Sequence, residues 1–264
     1  MVAGKANTLA SVSEHYRQIL VILIVITSLV TILLVYIKQP VILLLFYLAI
    51  TIAAFYSLPP VRLKERGIFG LIAAAVAQRT LPVAIVFHAL GDWGWPAVVL
   101  CVLSTLIGMR YIIVHQIQDE SADLLAHVQT VATTRGIDFL RQLLKQFVFP
   151  LELATLSIAL ILMTMEFASV GIAAVIYIFW TALQLLALDW KKEKRFSIEF
   201  YTILADFYYI YWPLLLSALL IERNNSYWMV FIFTVVWLFR RLYREVGQLW
   251  NVFSILISGS FYRK

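Results

Sequence analysis

Long apolar runs alternate with short polar segments along this chain. Each run approaches or exceeds the roughly 20 residues that a helix needs to cross the hydrocarbon core of a bilayer. Backbone polar groups in hydrocarbon must be satisfied within the segment itself, so we predict that each run is a helix. The pattern predicts an all-α, polytopic membrane bundle of about eight transmembrane helices, at residues 18–37, 40–58, 68–90, 95–117, 143–165, 168–188, 207–221 and 227–242.

The C-terminal part of the pattern is the least regular. The run 207–221 is short and contains Pro213, which can kink a helix. The tail 248–264 begins with apolar residues but is too short to span, so we predict an interfacial helix there. No internal repeat or soluble domain is visible, and residues 1–264 are predicted to form a single transmembrane domain.

Composition and charge agree with a membrane protein. The chain is 62% hydrophobic with a mean hydropathy of +0.89, which excludes an ordinary soluble domain. Its net charge of +6 does not indicate nucleic acid, because most Lys and Arg residues lie in alternate loops on one predicted side. An excess of cations marks cytoplasmic loops, so the N-terminus and the loop after the fourth run are predicted to be cytoplasmic.

Ionisable residues gather where the fourth run ends. Asp119 and Asp123 are four residues apart and would share one face of a continued helix. Two carboxylates at the mouth of a bundle suit Mg²⁺ bridging to substrate phosphates. His115 and His127 extend the same four-residue spacing, which leaves a transition-metal site as an alternative. A solvated helix end without a ligand is the other alternative.

A second polar cluster follows the second run on the same predicted side. Pro59 and Pro60 end the helix, and Arg62, Lys64 and Arg66 present three cations near the headgroups. These cations alone could simply set the topology. Beside the acidic loop they would instead form a diphosphate clamp, with Mg²⁺ on one flank and basic side chains on the other.

Further polar residues interrupt apolar runs. Gln78 and Arg79 lie within the third run, where an ionisable residue is costly and marks a functional candidate; snorkelling or pairing with a buried acid are alternatives. Glu152 and Gln184 are candidates for the bundle interior.

Two segments resemble a known family. The segment HQIQDESADLLAHVQTVATTRG, residues 115–136, resembles the second Asp-rich motif of the UbiA superfamily of intramembrane prenyltransferases, which has the form D-x-x-x-D. Asp119 and Asp123 match its acids, Thr130 its threonine and Gly136 its closing glycine. The segment FYSLPPVRLKERGIFG, residues 55–70, resembles the basic loop of that family.

The resemblance implies a helical bundle that transfers a polyprenyl group from its diphosphate to an acceptor that remains unidentified. Asp119 and Asp123 would bind Mg²⁺, which assists ionisation of the diphosphate. Arg62 and Lys64 would contact the diphosphate, and Tyr56 would support them. Gln78 is assigned to substrate binding as well. The expected partners are therefore a polyprenyl diphosphate, its acceptor and the lipid bilayer.

The sequence also departs from the family. Relatives carry an earlier motif of the form N-D-x-x-D-x-x-x-D, and no such motif precedes the first run, although residues 4–13 resemble the tract that follows it. We expect an N-terminally truncated chain, lacking two helices and weakly active or inactive alone. A separate chain that supplies the missing part, and a non-catalytic protein that binds isoprenoid lipid or acts as a scaffold, are the alternatives. Whether the chain is itself an enzyme therefore stays open.

Overall fold

The computed structural model describes residues 14–58, 60–187 and 204–258, and within these ranges it contains helices and turns but no strand. The prediction of an all-α membrane bundle is confirmed. The helices in the described ranges are α1 (Glu14–Lys38), α2 (Pro40–Ser57), α3 (Ile68–Leu90), α4 (Trp95–Leu125), α5 (Val131–Arg135), α6 (Ile137–Glu166), α7 (Ala168–Ala187), α8 (Trp212–Arg223) and α9 (Trp228–Ser258).

Three of the described helices, α3, α4 and α6, are long and apolar enough to cross a membrane. The other five predicted spans stay predictions. The charged segment 189–203, the side chain of Gln184 and residues 4–13 lie outside the described residues.

Helix α4 carries the acidic turn, Asp119 to Asp123, and this helix is longer than the apolar run that predicted it. The run ends at Ile117, whereas the helix continues for two further turns to Leu125. Helix α6 likewise begins at Ile137 rather than at residue 143. At the C-terminus the last predicted span ends at residue 242, whereas α9 continues unbroken from Trp228 to Ser258. Charged residues end a hydrophobic pattern without ending a helix, since Arg and Glu are good helix formers.

Three of the helical segments that the structure describes contain a π turn shortly before a proline. The π turns span Val76–Thr80, Leu144–Val148 and Phe207–Tyr211, and each is followed two residues later by a proline, respectively Pro82, Pro150 and Pro213. Proline lacks a backbone N–H group, and its ring clashes with the carbonyl four residues earlier. The extra residue of a π turn relieves that clash and lets the helix continue. Pro213 therefore changes the winding of its helix without ending it.

The chain divides between Leu156 and Ser157 into two compact units. In the first unit α4 packs against α3, α2 packs on α3, and α5 and the start of α6 return onto α4. Its core includes Leu71, Ile113, Leu140 and Leu144, all fully buried. In the second unit α7, α8 and α9 pack together. The prediction of one transmembrane domain stays a prediction.

Helices α3 and α4 approach closely at Gly108. A Cβ atom placed on Gly108 would lie 2.9 Å from both the Cα and the Cβ of Ala75, and 3.1 Å from Cγ of Arg79. Small residues are common where membrane helices meet, because they allow close backbone packing. Gly108 therefore sets the distance between the two helices.

A buried ion pair joins α4 to α6. Nε of Arg110 donates to Oε2 of Glu152 over 2.8 Å, and both side chains are fully buried. The Arg110 guanidinium also lies 4.6 Å from the centre of the Tyr111 ring, which Arg79 approaches to 5.4 Å. Arg110 lies inside α4, which continues for fifteen residues beyond it to Leu125. The expectation that Glu152 faces the interior is confirmed.

We expect Arg110→Met to lower the unfolding free energy by about 3–5 kcal/mol, because it leaves the Glu152 carboxylate buried without its cation. Glu152→Leu should be similarly destabilising. The double variant should recover much of the loss, since both charges are then gone. Unfolding of the three variants in detergent micelles measures this. Additive losses in the double variant would contradict the coupling.

We expect Gly108→Ala to destabilise the protein by roughly 1–3 kcal/mol, because the added methyl group overpacks the contact with Ala75. The matched control is Gly247→Ala in α9, where a Cβ atom would have nothing within 4 Å. That change should be neutral or stabilising by up to about 1 kcal/mol, since alanine favours helix. Thermal unfolding in the same detergent compares the two, and equal effects would contradict the role of Gly108.

Candidate functional site

The two predicted carboxylates lie in the last two turns of α4. Nδ1 of His115 lies 3.1 Å from Oδ2 of Asp119, four residues further along the helix. The side chain of Asp119 keeps 22% of its surface exposed, and Asp123 is also only partly buried. The helical spacing therefore places His115, Asp119 and Asp123 along one side of α4.

His127 does not extend this line. Helix α4 ends at Leu125, and His127 adopts a left-handed backbone conformation with φ of +53°. The prediction that four ionisable residues form a line at steps of four is wrong at its last member. A bulky residue in this conformation is strained, and such strain concentrates at functional turns.

Tyr56 connects the acidic turn to the start of the basic loop. It lies in the last turn of α2, its hydroxyl group is hydrogen-bonded to the Gln116 side chain, and the Asp123 carboxylate is close enough to act on it electrostatically. Tyr56, Gln116 and Asp123 therefore form one cluster. Gln116 was not predicted from the sequence, although a polar residue three positions before Asp119 in an apolar run was a usable signal.

The basic loop is tightly folded. Nη1 of Arg62 lies 3.0 Å from Oε1 of Glu65, and Nε of Arg66 donates to the Val61 carbonyl oxygen over 3.2 Å. Arg62 has a left-handed backbone with φ of +43°, and Lys64 lies in the 3₁₀ turn Leu63–Glu65. Glu65 thus offsets part of the positive charge that the sequence assigned to this loop.

The loop is also held against α3. The Leu63 carbonyl oxygen approaches Gly70 so closely that any side chain at this position would collide with it. Glycine is required there because the backbone of the loop packs directly on the helix. The positions of Arg62 and Lys64 are therefore set by packing of the backbone.

Gln78 lies apart from this cluster. It is exposed on the π turn Val76–Thr80, next to Arg79, whose side chain packs at Gly108 of α4. Gly108 precedes Asp119 by eleven residues, so the two are about 16 Å apart along the helix at 1.5 Å per residue. The role of Gln78 in substrate binding stays a prediction.

The oxygen atoms of the acidic turn suit a hard divalent cation. Among the described residues no group of three His, Cys, Asp or Glu side chains is placed to hold a metal ion. Two carboxylates on one helix face fit an ion that keeps several waters and bridges to phosphate, as Mg²⁺ does, and do not fit a closed protein cage. Asp119 and Asp123 would hold such an ion.

The second unit contains an aromatic cavity of about 250 Å³. The Tyr177 ring centroid lies 4.8 Å from that of Phe207 and 4.8 Å from that of Tyr211. All three residues line the cavity, and most of its remaining surface is formed by Leu and Ala side chains. Such a space is chemically suited to a hydrocarbon chain.

Apolar helices of membrane length define an integral membrane protein, and one of them, α4, ends in the turns that carry Asp119 and Asp123. The model of the UbiA prenyltransferase family matches residues 7–204, and the chain belongs to that family. No curated protein and no solved structure gave a significant match. The matched region contains both segments that carried the resemblance, which is thereby confirmed. Family membership indicates intramembrane prenyltransferase-like function and a polyprenyl diphosphate as substrate.

We expect His127→Gly to stabilise the protein by up to about 1 kcal/mol, because glycine adopts positive φ without strain. His127→Val should instead destabilise it, since a β-branched residue is disfavoured there. The matched control is His115→Gly within α4, which should cost about 1 kcal/mol of helix stability. Thermal unfolding in detergent measures all three. A loss at position 127 equal to the loss at 115 would contradict the strain.

Proposed function

We propose that this protein transfers a polyprenyl group from its diphosphate to an acceptor, with Mg²⁺ held by Asp119 and Asp123. The observation that carries the proposal is the joint position of the two carboxylates at the end of α4, beside Tyr56 at the start of the basic loop. This arrangement offers both the acidic and the basic sides of a diphosphate site. Family membership makes prenyl transfer the reaction to test.

Each residue has a defined task in this proposal. Bound Mg²⁺ supplies the positive charge that stabilises the departing diphosphate. Arg62 and Lys64 bind the diphosphate from the opposite side, and Arg62 exchanges its contact with Glu65 for the more highly charged ligand. Tyr56 lies between the basic loop and the acidic turn, and its hydrogen bond to Gln116 sets the distance between them. Gln78 contacts the substrate deeper along α3.

The prenyl chain and the acceptor are placed by the parts of the protein around the diphosphate site. The prenyl chain lies among apolar side chains in the bilayer, where water is excluded from the allylic carbon as the bond to the diphosphate breaks. The acceptor approaches this carbon from the side opposite the diphosphate. The acidic turn and the N-terminus face the cytoplasm, residues 1–264 act as one transmembrane domain, and the tail 248–264 lies at the interface.

A second candidate is a non-catalytic protein that binds isoprenoid lipid or acts as a scaffold. It is favoured by the small number of grouped metal-ligating side chains among the described residues. Two carboxylates neutralise a metal ion but leave a diphosphate poorly compensated, so weak turnover by the isolated chain is expected. A separate chain that supplies further carboxylates would raise turnover.

We expect membranes containing the protein to transfer radiolabel from a polyprenyl diphosphate to an added phenolic acceptor when Mg²⁺ is present. Asp119→Asn/Asp123→Asn should reduce the rate by at least about 100-fold, because the metal-binding charge is lost. The matched control is Asp138→Asn, an acid with 90% of its side chain exposed that pairs with Arg141 at the start of α6. It should leave the rate unchanged.

Transfer that survives in the double variant would refute the roles of Asp119 and Asp123. Binding of the labelled diphosphate without transfer, in every acceptor tested, would favour the non-catalytic candidate. Filter binding on the same membranes separates these outcomes.

A further inference from the structure

Gln116 is a buried amide on the helix face that carries the acidic pair. Only 6% of its surface is exposed, and its neighbours Ile113 and Ile117 are also buried. Gln116 precedes Asp119 by three residues and Asp123 by seven, which places all three on one side of α4. The amide therefore lies one turn deeper than the carboxylates.

One atom of this amide has no hydrogen-bond partner. The Gln116 side chain is hydrogen-bonded to the Tyr56 hydroxyl group, whereas its Oε1 atom is buried and receives no hydrogen bond from any residue in the described ranges. Leaving a buried acceptor unsatisfied costs about 1–3 kcal/mol. Such an atom in a native protein calls for a ligand or a functional reason.

The chemistry of an amide oxygen narrows the choice of ligand. It accepts hydrogen bonds or binds cations, and it repels the oxygens of an ionised diphosphate. Neutral carbonyl oxygens of Asn and Gln are common ligands of hard divalent ions. A spacing of three residues on one helix, as between Gln116 and Asp119, is one that carries paired metal ligands in helical bundles.

We propose that Oε1 of Gln116 is a third, neutral ligand of the divalent cation at Asp119 and Asp123, and that Tyr56 holds the amide in the ligating orientation. The proposal rests on the proposed function, because it concerns the same cation. It goes further by adding a ligand that is not a carboxylate.

A neutral ligand suits the buried position of Gln116. Two carboxylates already balance the charge of a divalent ion, and a third would leave an uncompensated negative charge beside buried isoleucines. The amide adds an oxygen without adding charge. The hydrogen bond from the amide nitrogen to Tyr56 then couples the cation to the end of α2, where the basic loop begins.

Titration of the purified protein in detergent with Mn²⁺, followed by the electron paramagnetic resonance signal of the free ion, tests this ligand without relying on turnover. We expect Gln116→Leu to weaken Mn²⁺ binding by roughly tenfold or more, the lower range for loss of a supporting metal contact. The matched control is Gln118→Leu, an exposed position on another face of α4, which should bind Mn²⁺ as the unaltered protein does. Tyr56→Phe should weaken binding less than Gln116→Leu.

The isosteric Gln116→Glu variant keeps the shape of the site. It therefore tests the same ligand position even if Gln116→Leu fails to fold. It should bind Mn²⁺ more tightly, because a carboxylate replaces a neutral oxygen at the ion. Unchanged Mn²⁺ affinity in both Gln116 variants, while Asp119→Asn/Asp123→Asn abolishes binding, would overturn the inference and leave the proposed function intact. Unchanged affinity in the Asp double variant would instead overturn the metal role in the proposed function.

Discussion

The first unit of this protein depends on a charged pair enclosed in its interior. Arg110 and Glu152 meet over 2.8 Å with no exposed side-chain surface, and they join α4 to α6. Transferring two charges out of water is costly, so such a pair adds little to stability beyond an apolar contact. The contact requires the Arg110 side of α4 to face Glu152, and it thereby defines the rotation of α4 in this structure. The rotation of α4 in turn determines the direction in which Asp119, Asp123 and Gln116 face.

The same helix is held on its other sides by contacts of quite different kinds. Gly108 allows the backbone of α3 to approach α4, and Tyr111 accepts two arginine side chains on its ring. Near the end of α4, the Gln116 side chain is hydrogen-bonded to Tyr56 of α2. Steric fit, cation–π attraction and a hydrogen bond therefore act on successive turns of one helix. The acidic turn is positioned by elements that are far from it in the sequence.

Hydrophobic pattern was sufficient to predict the class of fold and the face shared by Asp119 and Asp123, because both follow from the period of a helix. The hydrophobic pattern failed to predict the end of one helix and the contacts between distant segments. The end of an apolar run was taken as the end of a helix at Leu242, although charged residues continue helices well. Contacts between distant segments determine three features that the pattern did not predict. These are the ion pair of Arg110 with Glu152, the hydrogen bond between Gln116 and Tyr56, and the left-handed turn at His127. Such contacts leave no periodic signal in a single sequence.

The length of α4 also exceeds the thickness of the hydrocarbon layer of a bilayer. A helix of 31 residues extends about 46 Å, whereas the hydrocarbon layer is roughly 30 Å thick. In a span perpendicular to the membrane, about 16 Å of the helix therefore lies outside the hydrocarbon layer. If the carboxylates lie at the depth of the lipid headgroups, as the proposed function requires, an amphiphile with a charged end would meet them at the depth it already occupies. The tail of this amphiphile would then need no transfer through water, and lateral diffusion in the leaflet would be sufficient for delivery.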